Sequence, residues 1–443
     1  MASLSFELSR NYIPPIFVRT VGNGWASNTI NTVIFRHHGI FSANNLQIGA
    51  FYTAEGNLRL IKRDLSNDQV EFFDIVEDFN LFDAHNSISM AFDSEGYIHI
   101  SYDMHSNGLS YRRSTTPWSI THWSDELLMT GKKEKFVTYP TFIMPIAKKE
   151  DTPLLFLYRY GKSGKGDACL KKYDADIQKW FDIEPCFLSG SQQRPWASNP
   201  YWNHPAIDSE GNIHLAFVWR THSLGPKRKI NNINIDYAMS QDWGITWSTS
   251  KGEEFRLPIT QVNSETVLAI SPGTNLINQS GSAVDSKGFK HVVFYADDEN
   301  GIPQYQHLWF NGKRWQNKVI SKRDSAFDLE GGGTLQIPIS RPDIVIDDQD
   351  RVYVIYRGDL TDNRLAVTRL LPPNYNFEGG KQTHILWKES VEFAEPVIDH
   401  LRWGKEKILS MLVQKNFQPP HDKNIMPKFE PVYIMDWDII TSW

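Results

Sequence analysis

The chain has 443 residues, a formal net charge of −6 and 22% charged residues, a balance that excludes non-specific nucleic-acid binding through positive charge. An anionic ligand would therefore require a local basic pocket. No run of 18 apolar residues occurs, so no membrane span is expected, and the opening residues MASLSFELSR lack the basic region and apolar core of a signal peptide.

Tight turns between short strands recur along the chain. Four of them combine an apolar strand end, a turn rich in Asp and Gly, and a new alternating strand, which is typical of a β-hairpin. These four segments begin at Phe92, Ile207, Val284 and Ile346, and weaker copies lie at 53–58, 149–154 and 402–407. The turns fall near residues 55, 95, 151, 210, 287, 349 and 404.

The seven turns are separated by roughly 40 to 77 residues, a range that includes the period of a four-stranded propeller blade, about 40–50 residues. We therefore predict an all-β fold, a seven-bladed β-propeller in which residues 1–443 form a single domain. A solenoid is the alternative, but its edge strands would need capping for which the sequence offers no signal.

The segment from Ser240 to Trp247 fits the pattern Ser-x-Asp-x-Gly-x-Thr-Trp, and the segment from Ser114 to Trp123 is a degenerate copy. This pattern resembles the Asp-box, a β-turn motif of sialidase-like propellers. Because the motif belongs to the outer rim of a propeller, it indicates the fold and says little about the activity.

Polar side chains follow the aromatic residue that ends the strand after each turn. Residues one and three places beyond such an aromatic share a face of the strand, so we expect them to converge at one mouth of the central channel. The polar residues that follow these aromatics, and that we expect to converge, are His105, Arg159, Arg220, Asp297 and Arg357. A second set, expected in the same region, precedes the turns: His85-Asn86, Tyr139-Pro140, Pro200-Tyr201 and Asn278-Gln279.

The chemistry of this set favours an acidic ligand. Three arginine side chains suit a carboxylate or a sulfate, and His and Tyr can move protons. The alternative is that each Arg pairs with an Asp of a neighbouring blade. His99, His214 and His291 follow their turns in one strand register, so we interpret them as structural residues of the repeat.

Several of these segments occur in an order that resembles a known family. The order is Asp83-Ala-His85-Asn86, the turn from Phe92 to His99, His105 with Leu109-Ser-Tyr111, Thr138-Tyr139-Pro140, and the segment from Tyr158 to Asp167. It resembles the BNR-repeat polysaccharide lyases, seven-bladed propellers that include ulvan lyases and rhamnose–glucuronate lyases. The resemblance implies a catalytic propeller that cleaves an acidic polysaccharide by β-elimination at a uronate.

The resemblance also implies a catalytic group of two His, a Tyr and an Arg, which fall here on His85, His105, Tyr139 and Arg159. The sequence is most similar to the rhamnose–glucuronate lyases, which release L-rhamnose from an α-1,4-linked D-glucuronate, as on arabinogalactan side chains. Arg220 then clamps the substrate. Further expected substrate-binding residues are Arg357, Asn86 and Tyr201.

His105 is expected to act as base or acid with Tyr139 as its partner, while His85 orients the substrate or shares the proton. Arg159, and after it Arg220, is expected to neutralise the uronate carboxylate. No cofactor is expected for catalysis, and no metal ion at the catalytic residues.

The two cysteines, Cys169 and Cys186, provide no disulfide framework. A structural zinc held with His204, His214 or His222 is one interpretation, but the spacing fits no standard template. Two buried free cysteines are therefore favoured.

Two other functions remain open. A sialidase-like hydrolase would use an arginine triad such as Arg159, Arg220 and Arg357, and a silent propeller would bind acidic glycans without cleaving them. The substrate class predicts a secreted protein, although this chain carries no signal peptide. We expect a monomer without nucleic-acid or membrane partners.

Overall fold

The computed structural model describes residues 11–145, 152–192, 199–222 and 224–443, which form a set of antiparallel sheets. The strands in chain order are β1 (Phe17–Trp25), β2 (Ile40–Ala43), β3 (Leu46–Tyr52), β4 (Leu58–Asp64), β5 (Val70–Ile75), β6 (Ser89–Phe92), β7 (Ile98–Ser101), β8 (His105–Asn107), β9 (Tyr111–Arg113), β10 (Val137–Ile143), β11 (Leu154–Lys162), β12 (Lys165–Asp174), β13 (Lys179–Ser189), β14 (Asn199–Trp202), β15 (Ala206–Ile207), β16 (Ile213–Arg220), β17 (Asn232–Ser240), β18 (Glu265–Leu268), β19 (Ser282–Val284), β20 (Lys290–Asp297), β21 (Pro303–Phe310), β22 (Trp315–Val319), β23 (Asp343–Ile346), β24 (Val352–Tyr356), β25 (Arg364–Leu370), β26 (Thr383–Ser390), β27 (Val397–Ile398), β28 (Leu409–Gln414) and β29 (Phe429–Trp437). A helix, α1, spans His400–Glu406, and single 3-10 turns lie at Asp359–Thr361, Gly380–Gln382 and Pro420–Asp422.

The strands form seven sheets in the described part of the chain, one for each blade of a propeller. Blade 1 contains β2–β5, blade 2 β6, β7 and β9, blade 3 β8 and β10–β13, blade 4 β14–β18, blade 5 β19–β22, blade 6 β23–β26, and blade 7 β1 with β27–β29. Strands near the start of neighbouring blades contact one another, as β15 does β19 and β19 does β23, so they lie nearest the central axis. The predicted all-β, seven-bladed propeller is confirmed.

Blade 7 joins the beginning of the described chain to its end. Strand β1 pairs with β29 in antiparallel register from Phe17↔Asp436 to Trp25↔Phe429, with a bulge between Thr20 and Gly22. The other strands of this sheet, β28 and β27, come from the last blade along the chain. The ring is therefore closed by hydrogen bonds between two distant parts of the chain.

The repeated turns share one side-chain network. In blade 2, Asp93 accepts backbone hydrogen bonds from Glu95 and Tyr97, and its second oxygen contacts His99 Nε2 at 3.2 Å. The same Asp-to-ring pairing, six residues apart, recurs between Asp208 and His214 (3.0 Å), Asp285 and His291 (3.6 Å), and Asp347 and the Tyr353 hydroxyl (3.1 Å). These pairs give His99, His214 and His291 the structural place that the sequence indicated.

Two predicted features differ from the structure. The turn expected near residue 404 is helix α1, which begins after Asp399, whose side chain accepts a hydrogen bond from the backbone N–H of Arg402. Cys169 and Cys186 form a disulfide between β12 and β13, so the predictions of free cysteines and of a zinc site containing them are wrong. A register shift between Ala168 and Leu170 accompanies this pairing.

The turn expected near residue 151 lies within 146–151, outside the described residues. Within the described part of the chain, no helix is both long and apolar enough to traverse a bilayer.

The Asp-box closes a loop after β17. Asp242 accepts hydrogen bonds from the backbone and the hydroxyl of Thr246, while Ser240 Oγ accepts one from Gly244 N–H. Trp247 is buried and stacks on Phe187 of the neighbouring blade, with ring centroids 4.4 Å apart. The motif therefore joins blades 3 and 4, as expected of a fold motif.

Candidate active site

A cavity of about 600 Å³ opens where blades 2 to 6 meet near the axis. Most of the residues expected to converge do line it. The expected residues that line the cavity are His85, His105, Tyr139, Arg159, Tyr201, Arg220, Asn278 and Gln279. Phe35 and Arg341 line it as well. The structure thus brings together histidines, tyrosines and arginines from separate blades, as the position of these residues after and before the turns predicted.

A single carboxylate holds the two histidines. Asp83 Oδ1 lies 2.7 Å from His85 Nδ1, and Asp83 Oδ2 lies 2.5 Å from His105 Nδ1. The two imidazole rings stack with centroids 4.0 Å apart and planes 15° apart. An ionised carboxylate can only accept hydrogen bonds, so each Nδ1 carries its proton. In the neutral rings the Nε2 atoms then keep their lone pairs.

Electrostatics favour this arrangement of protons. Burial alone raises the pKa of Asp83, but the hydrogen bonds from His105 and His85 and their charges hold that pKa far below its usual range. Burial lowers the pKa of His85, and the neighbouring His105 lowers it further, while Asp83 opposes both effects. His85 is therefore held as a neutral ring beside an ionised carboxylate, the state that a general base requires.

A β-bulge directs Tyr139 into the cavity. In the pairing of β10 with β11, Thr138 faces Arg159 and Thr141 faces Leu157, so β10 contains one residue more than its partner. Tyr139 adopts a left-handed backbone with φ of 58°, immediately before Pro140. A non-glycine residue in this region costs of the order of 1 kcal/mol or more, and such strain concentrates at functional sites. The aromatic ring is nevertheless buried, at 5% exposure.

Two arginines alternate with two tyrosines along one side of the cavity. The Arg159 guanidinium carbon lies 5.0 Å from the centre of the Tyr139 ring, and that of Arg220 lies 4.7 Å from the Tyr201 ring. The two tyrosine rings are 5.9 Å apart. This row places two positive charges beside the histidine pair, since Tyr139 is also 5.9 Å from His85.

The contacts of Arg159 leave its charge available. Its Nη2 donates to Thr138 Oγ1 at 3.0 Å and to Ser106 Oγ at 3.3 Å, both neutral acceptors. Among the described residues, Nε has no hydrogen-bond partner, and the side-chain partners of this guanidinium are hydroxyls, not carboxylates. The alternative that Arg159 pairs with an Asp of the next blade is therefore not found in the described chain.

The net pKa shifts of the two tyrosines are opposite, although the arginines lower the pKa of both. Burial raises the pKa of Tyr139, and the nearby Tyr201 raises it further. Burial also raises the pKa of Tyr201, but the charges of Arg220 and Arg159 outweigh it, so the net shift is downward. Because its pKa is raised, the Tyr139 hydroxyl keeps its proton and remains a hydrogen-bond donor.

A glycine-rich segment, residues 330–335, forms a wall of the cavity beside His85. Its Gly332 carbonyl accepts a hydrogen bond from His421 Nδ1 at 2.9 Å, and Thr334 N–H donates to Asp422 at 2.6 Å. Gly331 has φ of 89°, and a Cβ there would lie 2.2 Å from the His421 ring, so the close approach requires glycine. The wall is fixed by these contacts between blades.

Five expected residues do not line the cavity: Pro140, Pro200, Arg357, Asn86 and Asp297. Arg357 is 1% exposed and donates to the backbone carbonyls of 337, 338, 393 and 394, so the expectation that it binds substrate is not supported. Asn86 is buried and donates to the Asn80 carbonyl. Asp297 accepts from the Asn275 amide. Arg357 and Asn86 thus bind backbone carbonyls, and Asp297 binds a side chain.

Sequence reasoning gave no role to two residues of the site. Asp83 acts behind the histidines, and its signal was its place two residues before His85 in the segment that carried the family resemblance. Arg341 lines the cavity and forms a salt bridge with the buried Glu395 at 3.1 Å. It precedes the turn near 349 by eight residues, close to the spacing of the set that included Asn278.

Sequence comparisons relate the chain to known proteins. A family model described as a BNR repeat-containing family member matches residues 46–323. The chain is 25% identical over 268 residues to an ulvan lyase of Alteromonas sp. (strain LOR), and 24% identical over 304 residues to a PL25 ulvan lyase of Pseudoalteromonas sp. (strain PLSV). These alignments cover 53% and 61% of this chain and 52% and 57% of the relatives, so the chain spans about half the length of the curated relatives that it matches.

Solved structures extend the likeness over the whole fold. Structures of a PL25 ulvan lyase, described alone and bound to -[GlcA(1-4)Rha3S]-, superpose with a TM-score of 0.65 at 15% identity. The superposition covers 96% of this chain and 99% of each of the others. At this level of identity the likeness concerns the fold, and it agrees with the seven sheets described above.

Proposed function

This chain belongs to the BNR repeat-containing family, and from that premise we propose that its propeller is a polysaccharide lyase that cleaves at a uronate by β-elimination. The observation that carries the proposal is the Asp83 carboxylate that holds two stacked histidines in one cavity with Arg159 and Tyr139. The ulvan lyases among its relatives support the same class of reaction.

Arg159 meets the first requirement of the reaction. β-Elimination removes the proton at C5 of the uronate, which is barely acidic while the adjacent carboxylate is an anion. A guanidinium that binds this carboxylate in two-pronged fashion stabilises the charge that develops in the transition state. Arg159 has no carboxylate partner among the described residues and is our first candidate, followed by Arg220 on the same side of the cavity.

The histidine pair and Tyr139 meet the second requirement, a base for C5–H and an acid for O4. Since Asp83 holds the Nδ1 protons, Nε2 of His105 or His85 is the atom that accepts the C5 proton. Tyr139 keeps its hydroxyl proton and donates it to the leaving O4. In glucuronate H5 and O4 lie on one face of the ring, so neighbouring groups on one side of the substrate serve both steps.

For the substrate we propose L-rhamnose-α-1,4-D-glucuronate, cleaved to release terminal rhamnose from arabinogalactan-type glycans. The wall formed by residues 330–335 beside His85 supports a cavity for a chain end. The second candidate is ulvan, favoured by the relatives named above and by the PL25 structure described with bound -[GlcA(1-4)Rha3S]-. Both substrates offer a glucuronate and a rhamnose.

The sialidase-like alternative has less support from the cavity. Arg357, one member of the arginine triad considered for it, donates to backbone carbonyls and does not line the cavity. Among the described lining residues, Glu330 is the carboxylate that could assist a tyrosine nucleophile, and it belongs to the glycine-rich wall. A silent glycan-binding propeller would have no need of a carboxylate that fixes the protons of two histidines.

The disulfide bears on the location of the enzyme. Structural disulfides persist in oxidising compartments, so the Cys169–Cys186 bond supports the proposal that the protein acts outside the cell on an extracellular polysaccharide.

The test is turnover of two substrates by the intact chain and by His105→Ala. A rhamnose-capped glucuronate glycan and ulvan are incubated separately while the ultraviolet absorbance of the unsaturated uronate is followed and the released sugars are analysed. Absorbance with free rhamnose supports the first substrate, and absorbance on ulvan alone selects the second. Sugar release without absorbance identifies a hydrolase, and full activity of His105→Ala removes the proposed site.

A further inference from the structure

A second group of histidines lies beneath the cavity, where the inner ends of four blades meet. This axial cluster consists of His37, His38, His204, Asp343 and His400. His37 and His38 precede β2, His204 precedes β15, Asp343 begins β23, and His400 follows β27. The rings of His37 and His38 are 3.7 Å apart, those of His37 and His204 4.7 Å, and those of His204 and His400 5.8 Å.

Three members present ligand atoms to a common centre. His400 Nε2 lies 2.9 Å from Asp343 Oδ2, and His204 Nδ1 lies 3.8 Å from Asp343 Oδ1. One donor atom from each of these side chains falls within 4.8 Å of the others. Two imidazole nitrogens and a carboxylate at such distances match the protein ligands of a zinc site, which keeps three or four of them.

The tautomer of His204 supports a ligand role. Its Nε2 lies 2.6 Å from the Ile34 carbonyl, which can only accept, so the proton is on Nε2 and Nδ1 carries a lone pair. That Nδ1 is buried and has no hydrogen-bond partner among the described residues. A ligating histidine characteristically donates its other N–H to a backbone carbonyl in this way.

A second nitrogen nearby is also unsatisfied. His37 is 5% exposed, and its Nδ1 is buried without a hydrogen-bond partner in the described chain. Buried polar atoms without partners are rare in native proteins and call for an ion, a water or a special role. His37 is therefore a second unsatisfied ring beside His204, outside the group of three donor atoms.

We propose that the axial cluster binds one divalent transition-metal ion of the zinc type, through three protein ligands: His204 Nδ1, His400 Nε2 and the Asp343 carboxylate. Nitrogen donors select such an ion over Ca²⁺ or Mg²⁺, which prefer oxygen. The site does not depend on the proposed lyase activity, because none of the three ligands lines the cavity.

The position of the site assigns it a structural task. Its ligands come from blades 4, 6 and 7, so the ion joins parts of the ring that are far apart in the chain. Two short links join the cluster to the cavity. The Ile34 carbonyl, which contacts His204, precedes the cavity residue Phe35. Asp343 lies two residues after the cavity residue Arg341. The bound ion therefore stabilises the floor of the active site without touching the substrate.

The experiment measures metal content in the full chain. Wild-type protein is loaded with Zn²⁺, desalted and analysed by inductively coupled plasma mass spectrometry, with His204→Ala, His400→Ala and His105→Ala treated in parallel. We expect one zinc per chain in the wild type and in His105→Ala, and a loss of at least half of it in the two axial variants. His105→Ala is the matched control, because Asp83, His85 and His105 form the other group with metal-ligand spacing in the described residues.

A second measurement covers variants that fail to fold. The wild type is loaded with Co²⁺, whose visible absorption reports tetrahedral nitrogen coordination, and its thermal midpoint is compared with and without a chelator. We expect intense visible bands and a lower midpoint after chelation. A wild type that retains no metal, or zinc that is lost from His105→Ala but kept by His204→Ala, overturns the proposal.

Discussion

Replacing Asp83 with Asn removes the negative charge that holds the two histidines while keeping the size of the side chain. The carboxylate accepts from Nδ1 of both rings, at 2.7 and 2.5 Å, but an amide accepts from one ring and must donate to the other. One ring then places its proton on Nε2 and can no longer accept a proton there. We expect kcat to fall about 10²- to 10⁴-fold, the contribution of a positioned general base, or ~3–5 kcal/mol of barrier.

The pH dependence of this variant gives a sharper test. In the wild type, burial and the neighbouring His105 lower the pKa of His85, and Asp83 raises it. Without the carboxylate the pKa of His85 falls further. A base is active when deprotonated, so activity on the acid side is lost as pH falls through this pKa. The acid limb of kcat/KM is therefore expected at lower pH in Asp83→Asn, measured by the absorbance of the unsaturated uronate.

A matched control exists in the neighbouring turn. Asp93 holds His99 in a buried pair outside the cavity, so Asp93→Asn is expected to lower stability and leave kcat unchanged. Folding of both variants is checked by chemical denaturation. If Asp83→Asn turns over as fast as Asp93→Asn, or its acid limb moves to higher pH, the proposed tautomer control is wrong.

Five further variants address separate parts of the molecule. Tyr139→Phe is expected to lower kcat about 10²- to 10⁴-fold with little change in KM, whereas Tyr201→Phe should mainly raise KM. Steady-state kinetics separates the two effects. The same change in kcat and KM for both variants would contradict these roles. Arg159→Lys keeps the charge but loses the two-pronged geometry, so kcat should fall about 10²- to 10³-fold, and wild-type kinetics would refute carboxylate neutralisation by Arg159. Arg357→Ala leaves backbone carbonyls without their donor, so the free energy of unfolding should fall by about 3 kcal/mol, measured by chemical denaturation, while KM stays unchanged. A raised KM would show that Arg357 does contact the substrate. Cys169→Ser opens the disulfide and should cost ~3 kcal/mol in the same assay with kcat preserved, and unaltered stability would remove its structural role.

Short-range turn chemistry explains how much of the fold was predictable. The turn at Asp93 is specified by a carboxylate and a glycine within a few residues, and its copies recur in register, so the blades could be counted. The segment after Asp399 was misassigned because its Gly and Lys residues suit a turn as well as a helix. The helix forms there because Asp399 caps it and Trp403 packs into the core.

Long-range geometry explains what could not be predicted. Arg159 and Arg357 occupy equivalent places after an aromatic strand end, yet only the first of them reaches the cavity, because loops at 337–338 and 393–394 present carbonyls to the second. The disulfide depends on a register shift beside Cys169 that no local pattern encodes. Asp83 was not predicted as a site residue because it lies behind His85 and His105, which face the cavity.

The pairing of β1 with β29 makes the order of synthesis matter. Until the strand ending at Trp437 has left the ribosome, the strand beginning at Phe17 has no partner, and blade 7 presents exposed hydrogen-bonding edges. Deleting residues 17–25 would leave β29 permanently as an unpaired edge strand. We therefore expect aggregation of the truncated chains, more than the loss of a local contact, to be the main effect of that deletion. A fluorescent or affinity fusion is therefore better inserted at an exposed hairpin, such as the one near Asn300, than within β1.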